Sequence, residues 1–259
     1  MNRIYIILIV LLFSSCEKVI DLKLKETAPK IVIESILTDL NTRHTVSISY
    51  TTNFDDPNTK IPVSGASVVI KDENGTSVGF TEQTPGNYLS TRFKGISGNK
   101  YTITVTLNGK SYSASSIMPF PVPIKSLEQI ELTFFGETRK IVQLNYKDPS
   151  GIANFYYNRV FINNVKQSTF YVDSDRFNDG RDVKNTIFID EPDLVTGDVV
   201  NVQLLTIDEN IYKYLFSITQ ITGNGGPPTT PANPNSNFNN GALGFFSAST
   251  ITNSSITIK

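Results

Sequence analysis

"KYTITVTLNGKSYSAS", residues 100–115, decides the fold class. Tyr101, Ile103, Val105 and Leu107 alternate with polar residues, as in a strand with one buried face. Asn108-Gly109 interrupts the run, and Tyr112 and Ala114 resume the alternation. Two residues that tolerate positive φ between alternating runs make a tight hairpin and fix its register. A slip by one residue would turn every apolar side chain toward solvent.

The same pattern extends outward. "KIVIESILT" (30–38) and "RHTVSISY" (43–50) read as strands, the second with Val46, Ile48 and Tyr50 on one face. Residues 62–90 supply further strands, with turns at Glu73-Asn74-Gly75 and Pro85-Gly86-Asn87. Closely spaced strands with turn chemistry between them predict a β-sandwich over 30–118. Pro119, Pro121 and Pro123 then remove ladder donors and stiffen the chain, so 119–123 reads as a linker.

A second β-rich domain is predicted over 124–259. Val142, Leu144 and Tyr146 share a face before the turn at 148–151. Phe155, Tyr157 and Phe161 share another, and adjacent Tyr156 and Tyr157 must point to opposite sides, at least one of them away from the core. "NTIFID" (185–190) and "DVVNVQLLTID" (198–208) add strands. One helix is predicted over 208–221, with Asp208 as N-cap and Ile211, Leu215 and Ile218 on one stripe. A long Gly/Pro/Asn loop fills 222–241, a candidate contact surface, and residues 242–259 close with two strands. The composition agrees: the chain has no Trp and is rich in the β-branched and aromatic residues that favour strands.

At the N-terminus, Arg3 precedes residues 4–13, whose only polar side-chain group is the Tyr5 hydroxyl. A positive residue before a short apolar run is a secretory signal pattern. The run is shorter than the roughly 20 residues of a spanning helix. Phe13-Ser14-Ser15-Cys16 follows and resembles a bacterial lipobox. Residues 1–15 then form a signal peptide, Cys16 carries the lipid, and 16–29 form a tether. An ordinary free thiol is the alternative. With one cysteine in 259 residues the chain closes no internal disulfide, so core burial must stabilise it. Residues 17–21 carry charge of both signs, which leaves periplasmic and surface-facing placement both open.

The net charge of −1 offers no footprint for nucleic acid or an anionic lipid surface. Nucleophilic triads need a base. The single histidine, His44, lies in a strand pattern and reads as structural. "SGNK" (97–100) has Ser-x-x-Lys spacing but sits in a glycine-containing turn. One histidine and no spare cysteine leave only carboxylates as further ligands, which argues against an ordinary zinc site. The densest acidic stretch is "DSDRFNDGRD" (173–182), with Asp173, Asp175, Asn178, Asp179 and Asp182. Calcium prefers converging oxygens. Phe177 and Asn178 break the EF-hand spacing, however, and Arg176 and Arg181 offer neutralisation without metal. "DEPD" (190–193) reads as an acidic turn. No catalytic residue, cofactor or metal is expected.

Several segments together resemble one family. They are "CEKVIDLKL" (16–24), "PVSGASVVIKDENG" (62–75), "PGNY" (85–88), "KDPSGIANFYYNRVF" (147–161), "ANPNSN" (232–237) and "GALGFFSAS" (241–249). The resemblance is to the domain-of-unknown-function 4249 family of lipoproteins from Bacteroidota. It implies a lipid-anchored outer-membrane protein beside a TonB-dependent transporter, and carries over no catalytic residues. The first domain's glycine and valine cadence also looks like immunoglobulin-like or transthyretin-like sandwiches. The expected function is therefore a non-enzymatic accessory that binds a partner, or a small-molecule, peptide or glycan ligand. A structural or adhesive surface module is the alternative, and a carboxylate-dependent hydrolase using Asp175 or Asp193 a further one.

Overall fold

Residues 100–107 and 110–117 form the hairpin their pattern demands. Leu107 stands opposite Lys110, with Asn108 at φ 49° and Gly109 at φ 76°. The computed structural model describes residues 28–52, 60–189, 193–222 and 234–259. The expected signal peptide, Cys16, the tether up to residue 27 and residues 53–59, 190–192 and 223–233 lie outside the described residues.

The first half contains β1 (Ile31–Thr38), β2 (Thr42–Tyr50), β3 (Ile61–Pro62), β4 (Ser67–Asp72), β5 (Ser77–Thr84), β6 (Asn87–Phe93), β7 (Lys100–Leu107) and β8 (Lys110–Ile117). The second begins with β9 (Ile124–Phe134), β10 (Glu137–Lys147), β11 (Phe155–Ile162), β12 (Val165–Lys166) and β13 (Tyr171–Ser174). It continues with β14 (Asp182–Ile187), β15 (Val199–Ile207), helix α1 (Glu209–Thr222) and β16 (Leu243–Thr257). The protein is mainly β and sandwich-like. Thirteen strands form one sheet in the order β12-β11-β15-β16-β1-β2-β6-β5-β4-β7-β8, with β13 on β11 and β3 on β2. The smaller sheet is β14-β10-β9.

The two strands expected at 242–259 are one. No glycine or proline follows Gly244, so nothing breaks the extended backbone through Thr257. The front half of β16 runs parallel to β1, from Val32 opposite Leu243 to Thr38 opposite Ser249. Its rear half runs antiparallel to β15, from Thr206 opposite Thr250 to Val199 opposite Thr257. The strand thereby welds the two halves of the chain into one sheet. β14 also departs from the pattern: it occupies 182–187 rather than 185–190, and Val183 and Ile187 are its buried residues.

Three apolar clusters follow. The first packs Ile33, Leu37, Ile48, Ile70, Tyr88, Ile103 and Met118, and is completed by Phe238, Phe246 and Ala248 from far down the chain. The second lies between the large and small sheets, with Val122, Leu144, Tyr146, Tyr156, Val160, Ile187 and Leu204. The third lies on the opposite face of the large sheet, where Ile211 and Leu215 of α1 meet Tyr157, Leu205, Ile207 and Ile251. Asp208 caps the helix, as its sequence predicts: Ile211 N–H donates to Oδ1 at 3.0 Å. Its other oxygen accepts from the Ser116 hydroxyl, which itself accepts from Ala248 N–H at 2.8 Å.

Gly244 lies where β16 crosses closest to β1. Its φ is +90°, and a Cβ there would sit 2.1 Å from the Ile33 carbonyl oxygen. Gly244→Ala should cost at least about 2 kcal/mol, from left-handed strain plus the clash. Gly109→Ala, with positive φ but open space around it, should cost about 1 kcal/mol. Urea denaturation followed by far-ultraviolet circular dichroism should show that order.

Candidate functional site

The acidic stretch is built around a residue outside it. Asp148, which follows β10 and is 1% exposed, accepts from the Tyr156 hydroxyl on Oδ1 and from Gly180 N–H at 3.1 Å on Oδ2. Asp179 accepts from Gly151 N–H at 2.7 Å, and Asp175 from Asn154 N–H at 2.7 Å. Carboxylate oxygens of Asp148, Asp175 and Asp179 lie within 4.8 Å of one another. That convergence would suit a hard cation chemically. Each carboxylate is already held by a backbone N–H, however, so the group also serves to tie two loops together.

The other acidic residues go elsewhere. Asp173 accepts from Ser174 N–H at 2.8 Å and from Asn185 Nδ2 at 3.2 Å, and burial raises its carboxyl above the usual range. Asp182 pairs with Lys125, and Asp193 lies 3.4 Å from Arg139. Asn178 contributes backbone only, its N–H donating to the Asp175 carbonyl at 2.7 Å. The neutralisation expected from Arg176 and Arg181 is replaced by N–H and hydroxyl donors. Arg176 lies over the Phe177 ring, and Arg181 offers its carbonyl to Asp148 N–H. Burial, and then the bond to Asp148, raise Tyr156 well above an ordinary tyrosine. Burial, and then the charges of Asp173, Asp148 and Asp175, do the same to Tyr146.

His44 is a core residue. Its ring Nε2–H donates to the Phe93 carbonyl at 3.0 Å, and it meets the Phe93 ring edge-on at 4.7 Å. Burial lowers its pKa, partly offset by that bond. Ser97 and Lys100 gain no catalytic relation: Gly98 between them takes φ +88°, a turn rather than a helical step.

Tyr156 and Tyr157 do point to opposite sides, yet both are buried. Each side of β11 has its own core, the small sheet on one and α1 on the other. Beside α1, on the Tyr157 side, the sheet leaves a cleft of about 560 Å³. Its walls include Glu34 and Ile36 of β1, Arg43 of β2, Tyr157 and Arg159 of β11, Lys166 of β12, Phe170, Gln203 of β15, Leu215 of α1 and Phe245 of β16. The volume falls in the range of small-ligand sites, and the lining is strongly polar toward β1 and β2, where Ser35, Thr38, Thr42, Thr45 and Ser47 lie, with an aromatic and aliphatic part beside α1. Tyr157 and Phe170 stack at 6.0 Å. Arg159 is the residue that sequence reasoning missed. The signal was present: in "FYYNRVFI" it is the one charged side chain, at an alternating position between Tyr157 and Phe161.

A mainly β, sandwich-type protein with a ligand-sized cleft between sheet and helix is what these features define. The chain belongs to the family described as Domain of unknown function (DUF4249), whose model matches residues 17–255. No curated protein matches it.

Asp148→Asn removes charge from a buried acceptor of two hydrogen bonds and should destabilise by about 2 kcal/mol in urea. His44 predicts a pH effect. Above about 6.5, its ordinary value, both states hold it neutral. As pH falls below that, the unfolded chain takes a proton that the folded one resists, so stability drops toward the depressed folded value. Asp173 and Asp208, raised by burial, act with the opposite sign. The comparison is therefore wild type against His44→Gln at each pH from 7.5 to about 5. The wild type should lose melting temperature over that window relative to the variant.

Proposed function

We propose that this protein is a non-catalytic binding module, tethered to the outer membrane of a Bacteroidota cell by a lipid on Cys16 and working beside a TonB-dependent transporter. The observation that carries the reading is Phe13-Ser14-Ser15-Cys16 directly behind the apolar run. The family relationship supports it through the lipoprotein character that the resemblance implies. Tethering raises effective concentration, so a weak contact with a neighbouring transporter suffices. Two acyl chains hold stably where one holds marginally, at about 0.8 kcal/mol per buried methylene.

The site chemistry favours binding over turnover. The one imidazole is spent on a backbone carbonyl in the core, and Asp148 is buried and bonded. Of the acids a carboxylate-only hydrolase would use, Asp175 holds Asn154 N–H and Asp193 is paired with Arg139. No helix among the described residues is long and apolar enough to cross a membrane.

Metabolic labelling with an alkyne fatty acid tests the anchor. Wild type should label and fractionate with membranes, and Cys16→Ala should lose both properties. An unlabelled wild type, or undiminished label in Cys16→Ala, overturns it. Purification in mild detergent should bring along a large outer-membrane β-barrel protein, and a preparation free of envelope partners would count against the transporter association.

A further inference from the structure

The geometry points to Arg159 as the recognition residue of a binding site in the β11–α1 cleft, with a small organic carboxylate bearing an apolar or aromatic body as its ligand class. This rests on the reading of the protein as a binding module and names what it binds.

The guanidinium is the anomaly of the cleft. Arg159 is half-buried, its Nε is fully shielded and without a hydrogen-bond partner, and it enters none of the ion pairs among the described residues. A desolvated cation without an anion is costly, and folds seldom keep one for stability. The cleft's own acid, Glu34, lies 3.4 Å from Lys60 and acts on Lys166, but forms no ion pair with Arg159. A second cation, Lys166, stands exposed at the mouth of the cleft. Burial and then the neighbouring Arg159 hold its ammonium below the usual range, with Glu34 partly offsetting them, so the two cations lie close enough to repel.

The part of the wall beside α1 suits the ligand's apolar body. Tyr157, Phe170, Leu215 and Phe245 are apolar surfaces against which a ring or acyl chain can lie. Arg159 stands opposite Gln203 across the β11–β15 pair, a neutral neighbour that leaves the cationic field intact. A guanidinium fork matches a carboxylate through parallel hydrogen bonds. A cleft of about 560 Å³ limits the partner to a small molecule.

The test uses the full chain purified in non-ionic detergent and a panel of free acids: benzoate, phenylacetate, hexanoate and octanoate. Each acid is matched with its carboxamide, and inorganic phosphate forms a separate arm. Melting shifts and calorimetric titration are the readouts. At least one acid should bind and raise the melting temperature, its amide should not, and Arg159→Met should weaken that acid at least tenfold. Without ligand, Arg159→Met should melt at or above wild type, because removing an unpaired, partly buried charge relieves a cost. Arg159→Gln serves as a second charge-removing variant should the methionine form fold poorly. The assignment is overturned if no acid binds wild type, if acid and amide bind alike, or if phosphate binds as well as the acids. It is also overturned if both variants bind as wild type does, or if both melt well below wild type without ligand. Loss of the lipid anchor would appear in the Cys16 labelling and leave these titrations unchanged, so the two readings fail separately.

Discussion

The structure depends on the backbone of β16 being hydrogen-bonded along both edges. A buried strand must place every N–H and C=O on a partner. This one pairs with β1 along its first half and with β15 along its second, and side chains serve the other edge: Asn237 at Phe246, Ser116 at Ala248 and Asp39 at Ile251. Everything else is arranged around that exchange. Gly244 permits the close approach to Ile33, Phe246 and Ala248 complete the first core, and Ile251 meets the helix on the other face. The Ala248–Ser116–Asp208 chain of hydrogen bonds then carries the same strand to the helix N-cap.

Local features were legible because local chemistry decides them. Asn108-Gly109 adopts the two positive φ values its residues tolerate, and Asp208 caps the helix its apolar stripe announces. The β9–β10 turn was silent for the same reason in reverse. It is made by Phe135 and Gly136, both at positive φ, and a phenylalanine rarely takes that conformation. The continuity of β16 was hidden as well, since its run of Ser, Thr, Ala and Asn shows no clear alternation. Tertiary partners on both faces bury its front half, through Ile251, instead.

The candidate site was harder to read than the fold. Asp175 and Asp179 stood out by their density, but their shared partner, Asp148, lies about thirty residues upstream in a turn that looked ordinary. Sequence separation concealed the convergence. Arg159 was concealed differently. A single arginine in a strand is usually a solvated residue, and only the placement of β11 between two covered faces turns it inward. One strand thus serves two purposes: Tyr156 and Val160 seal the core between the sheets, while Tyr157 and Arg159 line the cleft.

The parallel pairing of β1 with β16 also sets the tempo of assembly. Val32 and Leu243 must meet across about two hundred residues of intervening chain, a closure that is slow because its entropy must be spent before its contacts form. Until that happens, β1 and β15 both present open hydrogen-bonding edges, the form in which β-rich chains associate with one another. A nascent polypeptide of this kind stays sticky until late, and its productive yield is governed by how well those two rims are shielded while they wait.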